Sequence, residues 1–104
     1  MDDSFTERER QFEAKFAHDE ALKFRIVSHR NRLFAAWIVD QMGDGASPGY
    51  ADCFTAHALG RSPEALIERA QQDLHDHGVA LADVKLHKAF AQMADQAEDE
   101  VMNA

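Results

Sequence analysis

The stretch LKFRIVSHRNRLFAAWIVDQM, running from Leu22 to Met42, decides the fold. With about 100° of rotation per residue, Leu22, Ile26, Val27, Leu33, Phe34, Trp37 and Ile38 fall on one face, the apolar stripe a helix needs to pack against other helices. Gly43 ends the run. Towards the N-terminus the stripe continues through Phe5, Phe12 and Phe16, but Asp19 and Lys23 lie inside the same face and separate those rings from the run beginning at Leu22. The first helix is read from about Thr6 to Met42, with Ser4 to Glu7 and Thr6 to Glu9 as capping-box pairs at its start. It therefore divides into a packing part and an N-terminal arm that is helical or nascently helical and too isolated to be stable alone. Charge divides it similarly. Residues 1–20 hold seven acids (Asp2, Asp3, Glu7, Glu9, Glu13, Asp19, Glu20) against three bases (Arg8, Arg10, Lys15), whereas Leu22 to Arg32 holds Lys23, Arg25, Arg30 and Arg32 and no acid.

The rest of the chain is punctuated by two prolines and five glycines, all between Gly43 and Gly78, and the intervals are rich in good helix formers. A second, short helix is expected from Ser47, with Pro48 in its first turn, to near Leu59 before Gly60. Ser62 and Pro63 start a third, which carries Leu66, Ile67, Ala70 and Leu74 at helical spacing and is closed by Gly78. The fourth runs from about Asp83 toward Met102 with Leu86, Phe90 and Met93 as its apolar face, and Val101 and Met102 sit at a terminus prone to fray. No alternation of strand type competes. The expected fold is all-α: a four-helix bundle over residues 19–104 with a protruding N-terminal helical or flexible arm, residues 1–18.

At 104 residues there is room for one core. A net charge of -8 repels phosphate backbones and anionic membranes, which argues against nucleic acid as a partner. The longest apolar run, Leu33 to Val39, is far short of the ~20 residues of a membrane span. The acidic N-terminus lacks the layout of a secretion signal, so the chain is expected in the cytoplasm without inserting into a membrane. The single cysteine, Cys53, cannot form an internal disulfide.

Chemistry is sparse. Gly43, Gly45 and Gly49 in GDGASPG suggest a phosphate loop, but no Lys-Ser or Lys-Thr pair follows, and a turn between helices is the better reading. His75 and His77 are two apart and point to different sides of a helix, while His18, His29, His57 and His87 have no histidine four residues away; no metal site is expected. Cys53 and His57 share a helix face, the minimum for an activated thiolate, without an orienting group or oxyanion site. No catalytic residue is assigned and the chain is not read as an enzyme. Arg25, His29 and Arg32 form a basic stripe at i, i+4, i+7. It is either a solvated side or a contact for an acidic protein surface or a nucleotide phosphate.

Phe12-Glu13-Ala14-Lys15-Phe16-Ala17-His18-Asp19-Glu20 is a string that packing alone does not demand. Continued by Leu22-Lys23-Phe24, Arg30-Asn31-Arg32-Leu33 and Trp37, and more weakly by Gly49-Tyr50-Ala51, Asp73-Leu74 and Gly78-Val79, it resembles the signature of the zeta subunit family, the small inhibitor of the F-type ATP synthase of alphaproteobacteria. Ala21 stands where the family usually has an acid, and His57 to Ala65 lacks an acidic run. The resemblance implies a bundle anchored on the catalytic head of the synthase and an arm that enters between the stator subunits alpha and beta and the rotor subunit gamma. There the arm blocks rotation in the direction of hydrolysis. It implies peripheral association with the inner membrane through the synthase, requires no cofactor, and leaves open weak adenine-nucleotide binding by the bundle. A monomer is expected when the chain is free.

On this reading Phe5, Phe12 and Phe16 are anchors in a partner groove, and Glu7, Arg8, Glu9, Arg10, Glu13 and Lys15 are rim contacts that set register. Two alternatives stand beside it. The arm folds back onto its own bundle and extends the core, or the chain is a small helical nucleotide- or metal-binding sensor or adaptor module.

Overall fold

The computed structural model describes the backbone of residues 3–103 and the side chains of residues 19–103. Four α-helices follow in order, α1 (Asp3–Met42), α2 (Tyr50–Ala58), α3 (Pro63–Asp76) and α4 (Asp83–Met102), with no strand among the described residues. The fold is all-α.

Local chemistry explains most of the boundaries. Gly43 takes a left-handed φ of 66°, which a β-carbon would disfavour, and a single 3-10 turn over Gly43–Gly45 leads the chain away from α1. The second helix starts later than the spacing predicts. Pro48 and Gly49 form a turn closed by the Tyr50 N–H on the Ser47 carbonyl at 3.0 Å, and the first α-helical bond runs from the Cys53 N–H to the Gly49 carbonyl. Pro48 thus precedes α2 instead of opening it. The start of α3 is as expected: the Ser62 hydroxyl accepts from the Ala65 N–H at 3.2 Å, and Pro63 occupies the first turn, where its missing N–H is not needed. At its other end, Gly78 (φ 78°) donates to the His75 carbonyl and Val79 to that of Leu74. This is a Schellman closure that also turns Val79 onto the core. Although Val101 and Met102 were expected at a frayed end, α4 remains helical through Met102, with Val101 half-buried.

Phe34 is the hub of the core. Its ring meets Phe54 of α2 edge-on at 5.9 Å and Phe90 of α4 edge-on at 5.1 Å, and stacks with Trp37 at 5.8 Å. From α3 come Leu66, Ile67, Ala70 and Leu74, and α4 adds Leu86. The pairings of His29 with Glu100 and of Phe34 with Phe90 show that α4 runs antiparallel to α1. Two members of the predicted stripe sit differently from expectation. Val27 is 41% exposed, and Trp37 is half-buried, lying flat on Phe34 at the edge of the core. Trp37 lies to one side of the buried line through Asn31, Phe34, Ile38 and Met42, whereas Val27 continues that line one turn before its first described buried residue.

Candidate functional site

The N-terminal part of α1 carries the residues the sequence assigns to partner binding. Phe5, Glu7, Arg8, Glu9, Arg10, Phe12, Glu13, Lys15 and Phe16 belong to the span of α1, and their side chains lie outside the described residues. From Asp19 onward the side chains are described. Asp19, Glu20, Ala21 and Lys23 are exposed, Leu22 and Ile26 are half-buried, and the first buried residue among those described is Asn31.

The basic stripe divides by role. Arg25 and Arg32 are exposed, whereas His29 is half-buried and turned toward α4, its Nε2 2.6 Å from Glu100 Oε2. That contact joins α1 to the last turn of α4. A hydrogen bond from His29, and then one from the Gln96 amide at 2.6 Å, holds the Glu100 carboxyl below its ordinary range. All three stripe residues line one groove together with Phe24 and Val101. Phe24 is 63% exposed, and sequence reasoning passed over it as a site residue. Its angular position gave no signal, since it lies in line with buried Asn31 and Ala35 and is exposed because it stands two turns before them along the helix.

Arg30 and Asn31 turn inward. Asn31 is 1% exposed, and its Oδ1 accepts from Arg30 Nε at 3.1 Å and Nη2 at 2.9 Å, while the guanidinium lies 4.7 Å from the centre of the Phe90 ring. Burial lowers the pKa of Arg30.

A second polar cluster joins α2 to α3. The Tyr50 hydroxyl donates to Asp73 Oδ2 at 2.6 Å, and Arg69 Nε donates to the same oxygen at 2.9 Å. Burial, then the bond to Asp73, raises the pKa of Tyr50, and the same carboxylate raises that of Arg69. Nearby, desolvation and then the charges of Arg61 and Arg69 hold His57 below the usual histidine range. Cys53 is exposed, and no hydrogen bond joins it to His57 among the described residues, so nothing there orients a base toward the thiol. The described residues likewise hold no group of three His, Cys, Asp or Glu side chains placed for a metal ion. No helix among them is long and apolar enough to cross a membrane.

What the described residues offer is surface: a long first helix on which Phe24, Arg25 and Arg32 are exposed, packed against a small set of shorter helices. Comparison with known proteins agrees. A model of the family described as ATPase inhibitor subunit zeta matches residues 1–100. No curated protein matches the chain, and no solved structure does. The family's description is that of a regulatory subunit, not of an enzyme. With the match covering almost the entire sequence, the chain belongs to the ATPase inhibitor subunit zeta family.

Proposed function

We propose that this inhibitor restrains ATP hydrolysis by inserting its N-terminal arm, residues 1–18, between the stator subunits alpha and beta and the rotor subunit gamma of the catalytic head. The bundle of residues 19–104 anchors it there. The observation that carries the reading is a mismatch of lengths. α1 has 40 residues, while α4, its antiparallel neighbour, has 20. At about 1.5 Å per residue, α4 can flank only about half of α1. A helix of that length has little reason to extend past its bundle unless another surface receives it, and three phenylalanines on the extension make exposure to water costly. Wedging such a rod between moving and stationary parts inhibits mechanically, without chemistry of its own.

The test is titration of hydrolysis by a purified F-type ATP synthase with the full chain and with Phe12→Ala and Phe16→Ala. Each substitution should remove an aromatic anchor of ~2 kcal/mol or more, about 30-fold in affinity, while the melting of the free protein stays unchanged. Should Phe12→Ala destabilise the free protein as much as it weakens inhibition, the aromatic row belongs to the protein's own core and the mechanism fails.

A further inference from the structure

Between the core and the N-terminal extension, α1 carries a face that the bundle does not use. Phe24 is 63% exposed, and Leu59, at the end of α2, is 60% exposed. Ser28 and Arg32 line two grooves at once, one of about 490 Å³ reaching Phe24, Arg25 and Val101, the other of about 330 Å³ reaching Thr55 and Leu59. The two adjoin along α1 from residue 24 to residue 32, about 12 Å or two helical turns.

The charge on this face runs against the rest of the molecule. On a chain of net charge -8, residues 22–32 contain four bases and no acid. Arg30 is taken up by Asn31 and Phe90, and Lys23 has Glu20 at 3.9 Å. Arg25 and Arg32 have neither a salt-bridge nor a hydrogen-bond partner among the described residues. Two acids border the grooves: Glu100, already engaged by His29, and Asp52 beside Leu59. What remains is an apolar strip with a guanidinium at positions 25 and 32, where a carboxylate can be gripped in bidentate fashion.

We propose that this face of α1 seats an acidic amphipathic helix of the ATP synthase, whose apolar ridge covers Phe24 and Leu59 and whose carboxylates meet Arg25 and Arg32. The proposal rests on the inhibitor reading above, because the face lies on the same helix as the proposed arm. A partner that grips the arm is carried alongside it. The groove is open and two turns long, dimensions that match a helix laid along it. Charge pairing there would speed capture and set the register of the arm.

The experiment compares four forms of the full chain for association with the purified synthase and for inhibition, at low and high salt. In Arg25→Glu with Arg32→Glu, both should weaken at least about tenfold at low salt, and the wild-type advantage should shrink at high salt. The pair Lys85→Glu with Lys88→Glu makes the same charge change on α4 outside these grooves and should stay within about threefold of wild type. Arg25→Lys with Arg32→Lys should retain most of the salt-sensitive association while losing bidentate grip. Helicity and melting of each free variant confirm that the fold is kept, as expected for exposed positions. Equal losses in both reversal pairs, or none in the first, overturn the proposal. So do a dimer of the free chain that the arginine reversal dissociates, which would give the face to a second copy, and tight ADP binding that the reversal abolishes. If Phe12→Ala and Phe16→Ala leave inhibition intact while the arginine reversal weakens association, the docking face stands and the insertion mechanism fails. The opposite pattern removes the face and keeps the mechanism.

Discussion

The Tyr50 hydroxyl and Asp73 Oδ2, 23 positions apart in sequence, lie 2.6 Å apart and tie the start of α2 to the second half of α3. Tyrosinate at this position would be desolvated and would face a carboxylate, so the neutral phenol is favoured in the fold and its pKa is raised well above 10.0. A raised folded pKa gives a stability contribution that is complete below the unfolded value and is lost as pH rises through the folded one. Tyr50 is the only tyrosine, so its ionisation can be read directly. Ultraviolet absorbance should show no tyrosinate in the folded chain at pH about 11, whereas the urea-unfolded chain titrates near its ordinary value. Tyrosinate appearing near 10.0 with the fold intact would contradict the half-buried hydrogen bond.

Between α1 and α4, Glu100 contributes to the response to acid. Its pKa is depressed below 4.5 by the hydrogen bond from His29, so its contribution is present above that value and is lost as pH falls through the depressed one. Glu100→Gln should therefore lower the melting temperature at neutral pH and make it less sensitive to acidification in that range. Paired melts of the two proteins from pH about 6 to about 3 check this, and parallel curves would mean that the contact with α1 is not formed in solution.

Phe34 should dominate the core energetics. Its ring is fully buried and meets aromatic rings from two other helices, so Phe34→Ala should cost about 3 to 5 kcal/mol in denaturant unfolding. Trp37→Ala should cost less despite the larger side chain, because the indole is only half-buried and leaves a surface notch in place of a cavity. A greater loss at Trp37 than at Phe34 would relocate the hub.

Much of this architecture is legible in the residues themselves. Gly43, Ser62, Pro63 and Gly78 mark helix ends by the backbone conformations and caps they favour, and the structure uses each of them in that way. Periodicity on α3 and α4 finds Leu66, Leu74, Leu86 and Phe90 because one buried face repeats every turn. What periodicity does not carry is the identity of the neighbour. Phe24, Val27 and Trp37 differ in exposure according to how far α2 and α4 extend beside α1, which is a property of three segments together. Glu100 was silent for the same reason: its partner His29 is 71 residues away. The start of α2 was misplaced because Ser-Pro serves equally well as a helix opening or a turn, and Gly49 decides for the turn. For the arm, the Phe5, Phe12 and Phe16 row is legible only as an aromatic pattern interrupted at Asp19 and Lys23.

The clasp formed by Arg30, Asn31 and Phe90 sets a distance as well as a contact. A seam lined only with phenylalanine, leucine and isoleucine would accept α1 slipped along α4 by one turn, about 5.4 Å, since one apolar ridge fits the next groove nearly as well. The clasp disfavours it. A slip would carry the Arg30 guanidinium off the Phe90 ring of α4, forfeiting a cation–π contact of roughly 0.5 to 2 kcal/mol, while the Arg30–Asn31 hydrogen bonds, made within α1, would travel with the helix. The polar dowel therefore adds little to total stability yet fixes the zero of the ruler. The described residues of α1 are thereby set in register against α4, and under the insertion proposed above an arm that must reach a particular depth would need its length defined at the base.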